Sequence, residues 1–196
     1  MDSRFYALFS RMKYIDRWAL MYNVRGESLY EHSLDVAVIA HLLAVIGNTR
    51  LNKSYDEGKA ALLGIYHDMP EIITGDMPTP VKYYSPLMRQ TFAQIEQNAQ
   101  NSITDALPAD LREAFSELIS PDETSELWKI VKAADKISAL VKCIDERKNG
   151  NRDFDAAFDS TLNAIRALGC PEADIFTEEF LPALDKNLDS LFGKND

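Results

Sequence analysis

Residues 28–46 read SLYEHSLDVAVIAHLLAVI, and this stretch decides the fold. Ser28 and Glu31 have the spacing of a capping box, in which a serine hydroxyl and a glutamate three residues on satisfy each other's backbone N–H groups. The residues beyond it are apolar on nearly every side, the pattern of a buried central helix rather than a surface one. A helix is expected from Ser28 to about Ile46, with Gly47-Asn48 as a left-handed stop. His32 falls in its first turn, a polar side chain at the mouth of an apolar helix.

Working outward, the punctuation repeats. Ser54 with Glu57 and Ser120 with Glu123 have the same capping spacing. A helix after Ser54 carries Ala60, Leu62, Leu63 and Ile65 towards His67-Asp68. Pro70 cannot continue that helix but suits the first turn of another, capped by Asp68 and ending at Thr74-Gly75. Asp76-Met77-Pro78-Thr79-Pro80 reads as a stiff loop, with Thr79 capping a short turn through Lys82. Further helices are expected from Pro86 to Ala106, Ala109 to Ile119, Asp122 to Lys148, Phe154 to Leu168 and Ile175 to Phe192. No alternating β-branched stretch intervenes. The fold class is therefore all-α, a compact multi-helix bundle in a single domain over residues 1–196, its functional site within 17–135 and the helices of 154–192 completing the bundle.

The chain has 196 residues, 46% of them apolar, enough for one core. Acidic residues exceed basic ones for a net charge of −10. That sign disfavours a phosphate-tracking nucleic-acid surface, and an anionic substrate would need a local cation, either a metal ion or a placed arginine. The longest mostly apolar run, Val36 to Ile46, is short of a bilayer span, and the N-terminal residues lack the pattern of a secretory signal. A cytoplasmic protein without membrane or nucleic-acid partners is expected. Cys143 and Cys170, in unrelated contexts, read as reduced core-side thiols.

The chain has three histidines. Each polar interruption has a plain reading by itself: Asp135 as a satisfied helix carboxylate, His67-Asp68 as a helix-ending pair. Together, His32, His67, Asp68 and Asp135 offer two imidazoles and two carboxylates, a set suited to Mn²⁺, Fe²⁺, Co²⁺ or Zn²⁺. His41, nine residues after His32, points to the opposite side of its helix at about 100° per residue. It reads as a core or interface histidine.

This H…HD…D order resembles the signature of the HD-domain phosphohydrolase superfamily, an all-helical fold. The flanking text, Ile15-Asp16-Arg17-Trp18, Tyr30-Glu31-His32-Ser33-Leu34, Tyr66-His67-Asp68, Glu71, Thr74-Gly75-Asp76 and Pro78 to Tyr83, is similar to its bacterial 5′-deoxynucleotidase branch. The resemblance covers most of the chain and weakens after about Gly150. It implies a homodimeric enzyme that removes phosphate from deoxyribonucleoside 5′-monophosphates. It also implies one divalent ion held by His32, His67, Asp68 and Asp135, Co²⁺ or Mn²⁺ first, with Zn²⁺, Fe²⁺ or Cu²⁺ as alternatives. A hydrolase of deoxynucleoside triphosphates or cyclic nucleotides, and a non-catalytic nucleotide sensor, are the competing readings.

The supporting residues divide similarly. Arg17 could be a surface ion-pair partner or a clamp on two phosphate oxygens; the resemblance implies the clamp, with Trp18 walling off a 2′-hydroxyl. Glu71 could serve only as a helix cap, or act near the attacking water. The resemblance implies catalytic roles for Arg17, Glu71 and Asp76, and a substrate pocket lined by Arg17, Trp18, His32, Asp68, Asp76, Met77, Pro78 and Thr79. Pro70 departs from the familiar pattern and leaves the role of Glu71 the least fixed. No serine or cysteine lies in a nucleophile motif, so direct hydrolysis without a covalent intermediate is expected. Tyr83, Tyr84, Phe154 and Phe158 are open between core and interface.

Overall fold

A computed structural model describes residues 3–82 and 84–193 of the chain. Its helices are α1 (Phe5–Phe9), α2 (Leu29–Arg50), α3 (Glu57–Tyr66), α4 (Glu71–Thr74), α5 (Thr79–Lys82), α6 (Pro86–Asp105), α7 (Arg112–Ile119), α8 (Glu126–Lys148), α9 (Asp155–Ala167), α10 (Pro171–Glu179) and α11 (Leu188–Leu191). Short 3₁₀ turns cover Ser10–Tyr14, Arg152–Phe154 and Leu181–Asp185. No strand occurs among the described residues, only one isolated bridge between Asp16 and Ser28. The all-α expectation holds.

α2 is the axis of the bundle. The capping box forms as read: Ser28 Oγ accepts from Glu31 N at 3.2 Å and Glu31 Oε2 from Ser28 N at 2.8 Å. By length and composition α2 would cross a bilayer, with an 18-residue window of mean hydropathy 1.5. Here Val36, Ala40, Leu43 and Ala44 are fully buried against α3, α8 and α10. Its outer face carries Leu34, Val38 and an exposed His41, so His41 is not a core residue. Gly64 of α3 sets the distance to α2. A Cβ there would lie 2.7 Å from Ala37 Cα and 2.8 Å from Ala37 N, so only glycine allows the two backbones to touch. That contact draws the C-terminal end of α3 towards the first turn of α2.

Several boundaries differ from the reading of the sequence. α2 passes through Gly47-Asn48 to Arg50, because Gly47 is needed for space: its Cβ would meet the Tyr55 ring at 2.6 Å. The left-handed residue after the helix is Asn52, φ 56°. Asp56, not Ser54, caps α3 through Lys59 N, and Ser125, not Ser120, caps α8 through Trp128 N. Asp68 does not cap α4; Pro70 occupies that position and the carboxylate of Asp68 turns to the histidines. α7 starts at Arg112 rather than Ala109. The long terminal helix expected from Ile175 to Phe192 is three pieces, since Pro182 limits the hydrogen-bond ladder and Asn187 caps a fresh turn.

A second, smaller core of Met12, Leu29, Met69, Ile103, Leu107 and Ile119 packs the N-terminal turns against α4, α6 and α7. Phe154 is fully buried and Phe158 packs on the main core, whereas Tyr84 is exposed. Tyr83 lies outside the described residues. Cys143 and Cys170 are free and buried, and burial pushes both thiols up to about 11. They are inert thiols, as expected.

Candidate metal centre and substrate pocket

Three helices deliver the four expected ligands to one point. His32 comes from the first turn of α2, His67 caps the C-terminus of α3, Asp68 follows in the turn, and Asp135 lies midway along α8. One ligand atom from each of the four lies within 4.8 Å of all the others. His32 Nε2 is 3.2 Å from Asp135 Oδ1 and 3.5 Å from Asp68 Oδ2, and His67 Nε2 is 3.0 Å from Asp68 Oδ2. Both imidazoles are fully covered.

The two Nε2 atoms are buried without a hydrogen-bond partner. Such orphaned buried atoms are rare in native proteins and call for an explanation. The other ring nitrogens supply it. His67 Nδ1 is 2.8 Å from the carbonyl of Gly64, which can only accept, so the proton is on Nδ1 and the Nε2 lone pair faces the cluster. His32 Nδ1 lies 3.0 Å from Ser138 Oγ, one turn along α8 from Asp135, and 2.9 Å from Arg17 Nη1. A guanidinium only donates, so the Arg17 contact favours a proton on Nε2; when Ser138 instead accepts the Nδ1 proton, Nε2 is free as a ligand. The Gly64 and Ser138 acceptors are the usual support of a ligating histidine. The four residues therefore fit one divalent ion.

The charges agree. Burial opposes ionisation of Asp68, but His67 and His32 hold it well below the usual carboxylate range. Asp135 is likewise held low against its burial by His32 and Lys132. Burial and the Arg17 guanidinium act to lower the His32 pKa, yet Asp135 and Asp68 outweigh them and carry it up to about 9. Without an ion the site retains a proton as substitute cation.

Around the ligands, the remaining expected residues fall unequally. Arg17 is inside, its side chain 11% exposed, within reach of the charges of Asp135, Asp68 and Asp76. Trp18 adopts a left-handed backbone, φ 59°, rare for a bulky residue, and its ring lies 5.3 Å from that of Phe154. Glu71 is buried at the start of α4. Its Oε1 accepts from Lys82 Nζ at 3.0 Å, while Oε2 is buried without a partner. Burial and the charge of Asp68 push the Glu71 carboxyl up to about 8, with Lys82 pulling it back. A carboxyl titrating near neutrality suits proton transfer. Pro70, the departure noted in the sequence, leaves Glu71 beside the cluster, with Glu71 N bonded to Asp68 O at 3.0 Å.

Asp76 is near enough for its charge to act on Arg17 and Glu71. Met77 and Pro78 are half-buried on the same loop. Thr79 opens α5, and its side chain lies outside the described residues. On the far side of His67 and Asp68, a cavity of about 290 Å³ is lined by Lys82, Arg89, Phe92, Glu96 and Lys132. Asp68, Glu96 and Glu123 balance the cations Lys82, Arg89 and Lys132 in this lining, so the wall is charge-mixed rather than cationic.

Two features escaped the sequence reading. Glu27 Oε2 accepts from Arg17 Nη1 at 3.1 Å and from Trp18 Nε1 at 3.2 Å. Lys142 and Glu146, a buried i,i+4 pair on α8, grip the loop before Glu27: Glu146 accepts from Val24 N and Arg25 N, and Lys142 bonds the Arg25 carbonyl. The i,i+4 spacing was visible, but its burial was not.

Comparison with known proteins agrees with this arrangement. The family model described as 5′-deoxynucleotidase YfbR-like matches residues 4–184. The 5′-deoxynucleotidase YfbR of Escherichia coli is 42% identical over 194 residues, covering 97% of this chain and 96% of that one. A 5′-deoxynucleotidase of Vibrio atlanticus is 41% identical over 191 residues, covering 97% and 98%. Among solved structures, an HD-domain phosphohydrolase of Listeria innocua superposes with a TM-score of 0.79 at 22% identity, over 92% of this chain and 88% of the other. The cyanophage S-2L HD phosphohydrolase, bound to dA and one catalytic Zn²⁺ ion, gives 0.66 at 16% identity, over 92% and 96%. With its helical fold, its converging histidines and aspartates and nearly full-length relatives, the chain belongs to the YfbR-like 5′-deoxynucleotidase family.

Proposed function

We infer that this protein is a metal-dependent 5′-deoxynucleotidase that hydrolyses deoxyribonucleoside 5′-monophosphates to deoxynucleosides and phosphate. The observation that carries the reading is the pair of orphaned Nε2 atoms of His32 and His67 facing Asp68 and Asp135. Those four residues would hold the ion. When bound, it supplies a Lewis acid for a phosphate oxygen and acidifies water. Co²⁺ or Mn²⁺ is our reading of the ion, supported by a mixed nitrogen and oxygen donor set, with Zn²⁺ the next choice.

The other residues bind, orient and move protons. Arg17 grips the phosphate oxygens through its fork of N–H donors. Glu71, whose Oε2 is buried and unpartnered, and Asp76 are the two carboxyl groups that exchange protons with the attacking water and the leaving group. Trp18 stands where a 2′-hydroxyl would be crowded; a wall of this kind gives discrimination of about 100-fold rather than absolute exclusion. His32 and Asp68, with Asp76, Met77, Pro78 and Thr79, line the pocket in this reading. We further propose a cytoplasmic homodimer with neither nucleic-acid nor membrane partners, which light scattering and fractionation would check.

The test is phosphate release after chelation, with Co²⁺, Mn²⁺, Zn²⁺ or Mg²⁺ restored, over matched deoxyribo- and ribonucleoside 5′- and 3′-monophosphates and deoxynucleoside triphosphates. Release is expected mainly from the deoxy 5′-monophosphates, and Asp68→Ala should neither retain the ion nor turn over. Metal-loaded protein that releases nothing from any monophosphate would discard the assignment.

A further inference from the structure

Trp18 and Arg17 can only do the work assigned to them if something fixes a long guanidinium and a bulky indole in one arrangement. Neither position is stable by itself. Trp18 is in a left-handed conformation that L side chains avoid, and Arg17, whose Nη1 also lies 2.9 Å from His32 Nδ1, is within reach of the charges of Asp135, Asp68 and Asp76.

One carboxylate oxygen resolves both. Glu27 Oε2 accepts from Arg17 Nη1 at 3.1 Å and from Trp18 Nε1 at 3.2 Å, and the Glu27 carbonyl accepts from Arg17 N at 2.9 Å. Its side chain is 12% exposed, so these bonds are shielded from water. Glu27 itself is held on either side. Ser28 pairs with Asp16 and caps α2, while Val24 and Arg25 hang from α8 through Glu146 and Lys142, and Tyr22 from Asn151 just beyond that helix. An oxygen fixed to two helices is thus shared by the phosphate clamp and the sugar wall.

We propose that Glu27 is the positioning residue that sets discrimination between deoxyribose and ribose, by holding the Trp18 indole and the Arg17 guanidinium in one register. This rests on the reading of Arg17 and Trp18 given above. Glu27 acts through Arg17 and Trp18, and its other oxygen, Oε1, lies 3.9 Å from His32 Nδ1, so the comparison is made in enzyme confirmed to be metal-loaded.

The test compares kcat/KM for a matched deoxy and ribo 5′-monophosphate in the metal-loaded enzyme, its Glu27→Ala and Glu27→Gln variants and Trp18→Ala. Glu27→Ala should lower the deoxy-to-ribo ratio about tenfold or more, with the ribonucleotide losing less than the deoxynucleotide. Glu27→Gln keeps an acceptor at the shared position and should retain most of the ratio. The chain has two tryptophans, so an amide correlation spectrum shows two indole N–H peaks, and Trp18→Phe assigns one of them. That peak should move in Glu27→Ala and return towards its place in Glu27→Gln. Should the alanine variant not fold, Glu27→Asp, which keeps the charge and withdraws the oxygen by one methylene, should show the same losses. An unmoved peak, or an unchanged ratio in Glu27→Ala or Glu27→Asp while Trp18→Ala collapses it, would overturn the proposal alone. An unchanged ratio in Trp18→Ala would remove the sugar-wall reading, and the role of Glu27 with it.

Discussion

Replacing Glu146 by glutamine changes one oxygen to an amide in the buried latch of α8, and its cost can be worked from the contacts. Glu146 accepts from Val24 N at 2.9 Å, Arg25 N at 3.2 Å and Asn151 Nδ2 at 2.7 Å, and pairs with the Lys142 ammonium. Burial opposes ionisation, but the Lys142, Asn151, Val24 and Arg25 donors outweigh it and hold the carboxyl down to about 2 from an ordinary 4.5. At 1.36 kcal/mol per pH unit that difference approaches about 3 kcal/mol. Glu146 is 2% exposed but lines a cavity of about 210 Å³ with Arg25, Glu31 and Lys142, so screening by water there trims the figure. The amide also turns a donor towards other donors and leaves Lys142 buried without its counter-charge, a break costing about 3 kcal/mol or more when fully enclosed. We expect Glu146→Gln to lose about 2–3 kcal/mol in urea unfolding at pH 7, with Tm lower by about 4–12 °C. Because the carboxyl pKa is depressed, this stability is present above pH 4.5 and lost as pH falls towards 2. The variant should therefore lose less stability than wild type across that window. Lys142→Met in the same background should recover part of the loss, with a coupling of about 1 kcal/mol or more. A variant within about 0.5 kcal/mol of wild type at pH 7 would refute the argument.

Gly64→Ala should destabilise by about 1–3 kcal/mol, since its Cβ would meet backbone atoms of Ala37 and Val36 at 2.7–3.0 Å. It should also weaken metal uptake about 10-fold or more by shifting the carbonyl that orients His67. Gly58→Ala on the same helix, whose nearest neighbour would be 3.6 Å away, is the control and should be neutral or slightly stabilising; equal losses in both would show that the α2 contact is not the cause. The proton on His32 must leave before Nε2 can ligate, so apparent metal affinity should climb with pH until about 9, with proton release seen by calorimetry in buffers of different ionisation enthalpy. In the metal-free protein the raised His32 pKa stabilises the fold fully below 6.5, and that contribution fades as pH rises through about 9. Metal affinity independent of pH from 6 to 9 would rule this out.

The ligands were legible because each breaks an apolar pattern: His32 at the mouth of α2, His67-Asp68 where α3 meets Pro70, and Asp135 within the buried face of α8. The capping box at Ser28 was legible for the same reason, since a local motif needs no tertiary knowledge. Ser54 and Ser120 show the limit. Both have the capping spacing, yet Asp56 and Ser125 do the capping, because several polar residues near each helix start could serve and packing selects among them. Gly47 looked like a stop and is a site of close approach to Tyr55. Glu27 and Glu146 were unreadable for a different reason: an exposed glutamate and a buried one are the same letter, and what separates them is contact with residues 10 and 122 positions away.

The left-handed Trp18 has an evolutionary side. An L residue with a Cβ costs about 1 kcal/mol or more in that conformation, and glycine costs nothing there. A drift from Trp18 to glycine would relieve the backbone and, on the proposed sugar-wall reading, open the pocket to a broader range of sugars. Folding pressure and substrate pressure thus oppose each other at a single codon. If Trp18 is the sugar wall proposed above, selection for that role adds to its contacts with Glu27 and Phe154 in keeping the indole in place.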